Sequence, residues 1–352
     1  MITIKVRNVN EAFPLVINML KLYGNKRNSR NGPVLAIPEP VSIEYTNPTE
    51  RVLFNPIRDC NPFFHLYESL WMLMGRHDMK PLLRYTKQIE NYSDDGSTLH
   101  GAYGFRWRHY RSNKIDDKEV GIVMNFGGFN QLEIIAKKLR DNPEDRRCVL
   151  SMWDATIDLG RDGKDLPCNL ICTLSRSLTG ALDITVFQRS GDAIWGVLGA
   201  NVVQFSFLQE YLANWIGCPV GTYHQVCTNF HAYLDIFDKV KKVTDSNDYY
   251  VKNAVSRQPI EGPIQIVDEF ISSILHEADT GFTKEKIYSE PWAQLFYTIL
   301  KAHHVYKTKG KFFALEELWD RNNGTDWELA AVEWLGRRKD LNDVLSNSLE
   351  HP

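Results

Sequence analysis

The chain opens with alternating apolar positions in Met1-Ile2-Thr3-Ile4-Lys5-Val6-Arg7, which predict a strand. Residues 11–24 then carry apolar positions at helical spacing and stop at Gly24, a residue suited to the place just past a helix end. A polar, basic stretch, Asn25 to Gly32, is predicted as a loop. From Val34 to Phe54 the apolar residues alternate between prolines, so strands are expected with the prolines at their edges or ends. Pro62 to Gly75 is apolar on nearly every face and predicts a buried helix. An amphipathic helix is expected over Gln131–Arg140, a turn over 142–147 and a strand from Cys148 to Trp153. Two further strands, Leu170–Ser175 and Leu182–Gln188, are joined as a hairpin across Thr179-Gly180. Residues 202–216 predict a second largely apolar helix that stops before Gly217. Beyond Asp235 helical patterns near 264–277, 290–306 and 327–337 carry tryptophans and many charges, with no further strand signal. A sheet with long buried helices against it is the α+β class.

Composition narrows the function classes. At 352 residues, with 43% hydrophobic and 12% aromatic content, the chain can bury a substantial core. The net charge of −3 carries no long block of one sign, so no nucleic-acid partner and no polybasic membrane anchor is expected. No apolar run is long enough for a membrane span, and a cytoplasmic protein is the default expectation. Six cysteines (Cys60, Cys148, Cys168, Cys172, Cys218, Cys227) lack CxxC spacing, so neither a zinc site nor a disulfide framework is expected, and no metal is called for.

Two places carry chemistry. Glu68 lies inside the apolar helix, where a carboxylate must be paired, protonated or functional because burying it alone is costly. Cys168 follows Pro167 at a strand start, where a side chain can face a cleft, and one strand later comes Gln188-Arg189-Ser190-Gly191-Asp192. Taken alone, a cysteine in a strand reads as core and an arginine pair such as Arg146-Arg147 as solvated surface. Nearby arginines could instead lower the thiol pKa and bind an anion, which suggests covalent chemistry on a phosphorylated substrate.

Seven segments in sequence order carry a resemblance: Ser29-Arg30-Asn31-Gly32, His65 to Trp71, Gly101 to Trp107, Asp145-Arg146-Arg147, Pro167-Cys168, Gln188 to Asp192 with Gly196 and Asn201, and His231-Ala232-Tyr233. Together, across about residues 10–240, they resemble the thymidylate synthase and pyrimidine nucleotide hydroxymethylase superfamily. The resemblance implies a catalytic domain over 1–245, with 246–352 as a helical extension packed on it. It implies that Cys168 adds to C6 of a pyrimidine nucleoside monophosphate, so that C5 can attack the methylene of the cosubstrate 5,10-methylenetetrahydrofolate. Arg189, Ser190 and Arg30 would bind the phosphate, and Arg146 and Arg147 would reach it from the neighbouring subunit of a homodimer. Glu68 would hold waters that move protons, Tyr103 would assist at the C5 proton, and His231 and Tyr233 would bind the sugar 3′-hydroxyl. Asp192, with Gly196 allowing close approach, would bind the pterin, and Asn201 would read the base, an amide there suiting uracil.

Three places depart from the pattern. Asn169 stands where a histidine follows the nucleophile, Ile89 where a tryptophan contacts the folate, and the polar end Leu349-Glu350-His351-Pro352 where an apolar tail closes the site. Water reaching the exocyclic methylene gives a 5-hydroxymethyl nucleotide, whereas hydride from the folate gives dTMP and dihydrofolate. These departures favour 5-hydroxymethyl-dUMP, as in viruses that modify their DNA. Orthodox dTMP synthesis, dCMP hydroxymethylation and a non-catalytic nucleotide-binding protein remain the alternatives. The segment before Asn201 is one residue longer than the family spacing, which leaves Ala200 as a rival for the base-reading position.

Overall fold

The computed structural model describes residues 1–111, 114–117, 122–125, 128–319 and 324–339. Its strands are β1 (Ile2–Val6), β2 (Asn25–Ser29), β3 (Gly32–Ala36), β4 (Val41–Tyr45), β5 (Lys114–Asp117), β6 (Ile122–Asn125), β7 (Val149–Ser151), β8 (Asn169–Arg176), β9 (Leu182–Gln188), β10 (Gly191–Asp192), β11 (Val220–Cys227) and β12 (Phe230–Tyr233). The helices are α1 (Val9–Tyr23), α2 (Pro62–Leu73), α3 (Tyr103–Arg108), α4 (Gln131–Asp141), α5 (Ala155–Asp158), α6 (Asn201–Ile216), α7 (Leu234–Val240), α8 (Ile264–Thr280), α9 (Pro291–Lys309), α10 (Lys311–Trp319) and α11 (Asp326–Gly336).

The main sheet has six strands in the order β1-β4-β11-β9-β8-β7, mixed in direction, with β1·β4 and β11·β9 parallel. One face carries Ile43, Tyr45, Leu150, Cys172, Leu174, Ile184, Val186 and Tyr223 into the core, each at most 2% exposed. The alternation along each strand is the reason: a period of two puts every second side chain on that face. A second sheet, β10-β12-β3-β2, is smaller and places Asp192 opposite His231 in register.

The predicted helices form where their patterns placed them, and their ends are chemically marked. Asn8 caps α1 by accepting from the amides of Asn10 and Glu11, and Asn61 caps α2 with Pro62 in its first turn. Gly217 ends α6 in the left-handed region, φ 79°. Three expectations are corrected. Asn25–Gly32 is no simple loop: Asn25–Ser29 pairs antiparallel with β3 as an exposed hairpin strand. Its side chains are all solvated, so no apolar alternation marked it. Strand β11 and helix α10 are additional elements. The first carries glycine, threonine, histidine and glutamine among its apolar residues, and the second is only nine residues long.

Helices α8, α9 and α11 share one hydrophobic cluster with α2 and α6, through Ile271, Ile274, Trp292, Phe296, Ile299, Trp334 and Leu335 against Phe63, Leu66, Leu70 and Phe207. The edge-on packing of Phe207 on Phe296 and of Phe63 on Trp334 belongs to this seam. The last residues, Leu349 to Pro352, lie outside the described residues. Among the described residues no helix is long and apolar enough to cross a membrane.

Candidate active site

A cleft of about 1420 Å³ opens between α2, the segment carrying Tyr85 to Asp94, the end of β10 and the end of α11. Its walls include Arg30, Glu68, Ile89, Asp192 and Tyr233 from the predicted set, together with Arg58, Trp195, Trp334 and Arg338. Pockets for one drug-sized ligand span roughly 300–1,000 Å³, so this one has room for more than a single nucleotide.

Cys168 sits at the entry to β8, and its carbonyl accepts from the Arg189 amide at 3.0 Å. Arg189 turns its guanidinium back on this segment, donating to the carbonyls of Pro167 at 2.9 Å and Leu166 at 3.1 Å. The thiol is half-buried. Burial pushes its pKa up, and the charges of Arg189 and Arg30 pull it down by less. Arg189 thus acts on the thiol in the direction expected of a neighbouring arginine, against a larger desolvation effect. All six cysteines are free thiols.

Tyr103 backs the nucleophile. Its hydroxyl accepts from the amides of Cys168 at 3.3 Å and Asn169 at 3.4 Å, and burial raises its pKa. Glycine at the next position is required by packing, since a Cβ on Gly104 would lie 2.1 Å from the Met72 carbonyl. That close crossing of α3 on α2 fixes Tyr103 against β8.

Behind Cys168 runs a chain of side-chain amides. Gln188 Nε2 donates to Asn169 Oδ1 at 2.7 Å and lies 3.5 Å from Asn201 Oδ1. Asn201 Nδ2 donates to Gln204 Oε1 at 3.3 Å, and Gln204 Nε2 donates to Glu68 Oε2 at 2.7 Å. Asn201 and Gln204 meet because they are three residues apart in the first turn of α6. Glu68 reaches them from α2. Burial pushes the Glu68 carboxyl up to about 7, and the Gln204 hydrogen bond opposes the shift. Sequence reasoning missed Gln204 as a site residue, since a glutamine three residues after Asn201 carried no signal without the fold, and it gave Gln188 a place in a motif but no role.

The segment before Asn201, where an extra residue is expected, is locally irregular. Residues Ala193–Ala200 form a π-helical turn in which the Asn201 amide donates back to the Gly196 carbonyl. Asn201 keeps its amide in the chain, and Ala200 lines the cleft with only a methyl group. At Gly196 a Cβ would come 3.1 Å from Asn201 Oδ1, so its bareness makes room for that amide. Asp192 caps the same turn, accepting from the amides of Ile194 and Trp195, and its carboxyl is raised by burial.

The remaining predicted residues divide. His231 donates through Nδ1 to the Asn229 carbonyl, 3.1 Å away, and packs edge-on against Tyr233 with ring centroids 5.5 Å apart. Tyr233 receives Asn31 Nδ2 at 3.4 Å, and Ser190 receives Asn229 Nδ2 at 3.2 Å. Arg30 donates to the carbonyls of Gly163 and Lys164 across the cleft mouth. Arg146 and Arg147 stay away from the cleft of their own chain. Arg146 is exposed, and Arg147, 77% exposed, holds Asp145 at 2.7 Å. Among the described residues no His, Cys, Asp or Glu cluster has metal-site geometry.

The comparisons with known proteins bear on this geometry. The family model described as thymidylate synthase matches residues 25–259. A protein of Pseudomonas phage M6 named deoxyuridylate hydroxymethyltransferase is 42% identical, over 96% of this chain and 94% of its own. One of the same name from Bacillus phage SP01 is 36% identical over 66% of this chain and 57% of its own. A thymidylate synthase of Candida albicans is 24% identical over 58% and 72% respectively.

Proposed function

Since this chain belongs to the thymidylate synthase family, we propose that it is a one-carbon transferase that converts dUMP to 5-hydroxymethyl-dUMP. The observation that carries this reading is the Asn201–Gln204–Glu68 chain, which ends on the Glu68 wall of a cleft large enough for two ligands, with the half-buried Cys168 thiol in the electrostatic reach of Arg30 on the same cleft. The likeness to the phage M6 protein along nearly the whole chain supports the hydroxymethyl outcome over the methyl one. Methylenetetrahydrofolate supplies the one-carbon unit. Trp195 and Trp334, which line the cleft with Asp192, supply aromatic surface for its ring systems.

The residues divide the labour as follows. Cys168 adds as thiolate to C6, which makes C5 nucleophilic; phosphate binding by Arg189, Ser190 and Arg30 brings the ring into reach. Asn201 reads the uracil edge, while His231 and Tyr233 hold the sugar. After C5 joins the methylene, loss of the C5 proton toward the Tyr103 side releases tetrahydrofolate and leaves an exocyclic methylene. Water then adds to that carbon, and the thiol departs from C6. The sum is dUMP, methylenetetrahydrofolate and water giving 5-hydroxymethyl-dUMP and tetrahydrofolate. Glu68, poised near neutrality, exchanges the protons.

A homodimer completes the site in this reading. The second face of the main sheet is open, and its rows Lys5-Glu44-His224-Thr185-Thr173 and Thr3-Ser42-Val226-Phe187-Ile171 run across five strands. Pairing two such faces would bring the free Arg146 guanidinium of one chain toward the cleft of the other.

Incubation with dUMP and methylenetetrahydrofolate, read by mass spectrometry, is expected to show a 5-hydroxymethyl product and no dihydrofolate. Cys168→Ser should abolish both the product and tritium release from C5 of dUMP. Dihydrofolate accumulating with turnover would make the enzyme a dTMP-forming one, and absence of C5 exchange would leave a binding protein.

A further inference from the structure

The amide chain behind Cys168 has a direction, and one residue sets it. We infer that Gln204 is a positioning residue that fixes which end of the Asn201 amide faces the base, by tying that amide to the Glu68 carboxylate. The inference rests on the assignment of Asn201 to base reading made above.

The geometry runs from the charged end. An ionised carboxylate only accepts, so Glu68 requires the NH₂ of Gln204, which donates to it at 2.7 Å. That leaves Gln204 Oε1 toward Asn201 and requires the Asn201 NH₂ to face it, at 3.3 Å. Asn201 Oδ1 is then turned to the other side, toward Gln188 Nε2. Gln204 is only 6% exposed and both ends of its amide are engaged, so it cannot rotate without stranding a buried group. Each end of the Asn201 amide keeps one further site, a second N–H and a second lone pair. An amide held in this sense offers a donor and an acceptor in a fixed order.

Uracil presents C=O at position 4 and N–H at position 3. Cytosine presents the reverse, an NH₂ and a ring acceptor. A 180° flip of the same amide therefore exchanges the two preferences, and an asparagine free to flip would read both bases. With Gln204 in place, discrimination belongs to the pair rather than to Asn201 alone. The bond has a second consequence at Glu68. The ionisable side chains on the cleft wall with it include Arg58, Asp59, His65, Tyr85, Lys87 and Asp192. Only burial and the Gln204 amide move its titration.

Two substitutions separate the roles. Gln204→Met keeps the length and removes both polar ends. It is expected to cut the ratio of dCMP to dUMP dissociation constants by tenfold or more and to move the acidic limb of the kcat/KM profile upward. Gln204→Glu keeps an acceptor toward Asn201 but sets a second carboxyl against Glu68. It is expected to retain the base preference while shifting the pH profile. Binding is measured calorimetrically with dUMP and dCMP, so the ratio is read without turnover, and circular dichroism checks folding. An unchanged ratio in folded Gln204→Met overturns the inference. So does lost base preference with an unmoved pH profile in Gln204→Glu, the variant that decides the matter should the methionine variant unfold. Wild-type protein that binds dUMP but releases no tritium from C5 would overturn the proposed function and leave this inference to the binding ratios.

Discussion

Glu68 is the residue at which local environment and function are most tightly coupled. Burial raises its carboxyl from the ordinary range to about 7, so the folded state holds this proton more tightly than the unfolded chain while leaving the ionised form populated near neutral pH. A raised carboxyl favours folding below the unfolded pKa, and that advantage fades as pH rises through the folded value. Glu68→Gln should therefore change stability little near pH 4.5 and raise it increasingly toward pH 8, by about 2 kcal/mol, because the side chain still meets the cleft solvent. Thermal melts of the two proteins across that range test it. Turnover should fall by roughly a hundredfold or more, as expected when a proton-transfer group is removed. A buried pair such as Arg51–Glu210 offers a contrast, since each charge there is neutralised by the other.

At the scale of the element, the π turn 193–200 decides how α6 is presented. Gly199 sits at its kink with φ −120° and ψ −106°, outside helical values. A Cβ there would lie 2.9 Å from Arg58 Nη2 and 3.1 Å from the Ile194 carbonyl. Arg58 cannot yield easily, because its Nε donates to that same carbonyl at 2.9 Å and its guanidinium stacks 4.0 Å from the Trp195 ring centre. Gly199→Ala is expected to cost about 1–3 kcal/mol, seen as a lower urea midpoint, and to weaken dUMP binding by displacing Asn201.

At the scale of the whole molecule, the proposed homodimer makes a prediction about shared sites. Mixing two inactive variants tests it. One carries Cys168→Ser, the other Arg146→Ala with Arg147→Ala, and each homodimer lacks one component of both sites. Random exchange makes half the dimers mixed, each with one intact site, so about a quarter of wild-type activity should return. No recovery, with a monomer by light scattering, would remove the shared-site reading. The helices from Ile264 onward take part in the same core and bring Trp334 and Arg338 to the cleft. They stand where a lid would act, with Arg337 and Arg338 both paired to Asp59.

The sequence by itself determined the elements whose side chains are sorted between core and solvent: α1, α2, α4, α6, the β8–β9 hairpin and most of the C-terminal helices. Local periodicity and capping residues suffice there, because burial of one face is the driving force. It also marked Cys168, Glu68 and Asn201 as a set, through motif order. The solvated strand β2, the polar strand β11 and the identity of Gln188 and Gln204 as partners were decided only by the tertiary structure. Polar side chains take their meaning from whichever donor or acceptor the fold brings within 3 Å, and residues 136 positions apart, such as Glu68 and Gln204, have no local signal of meeting. The same holds for the direction of the amide chain, which starts from a carboxylate on one helix and ends beside the nucleophile on a strand.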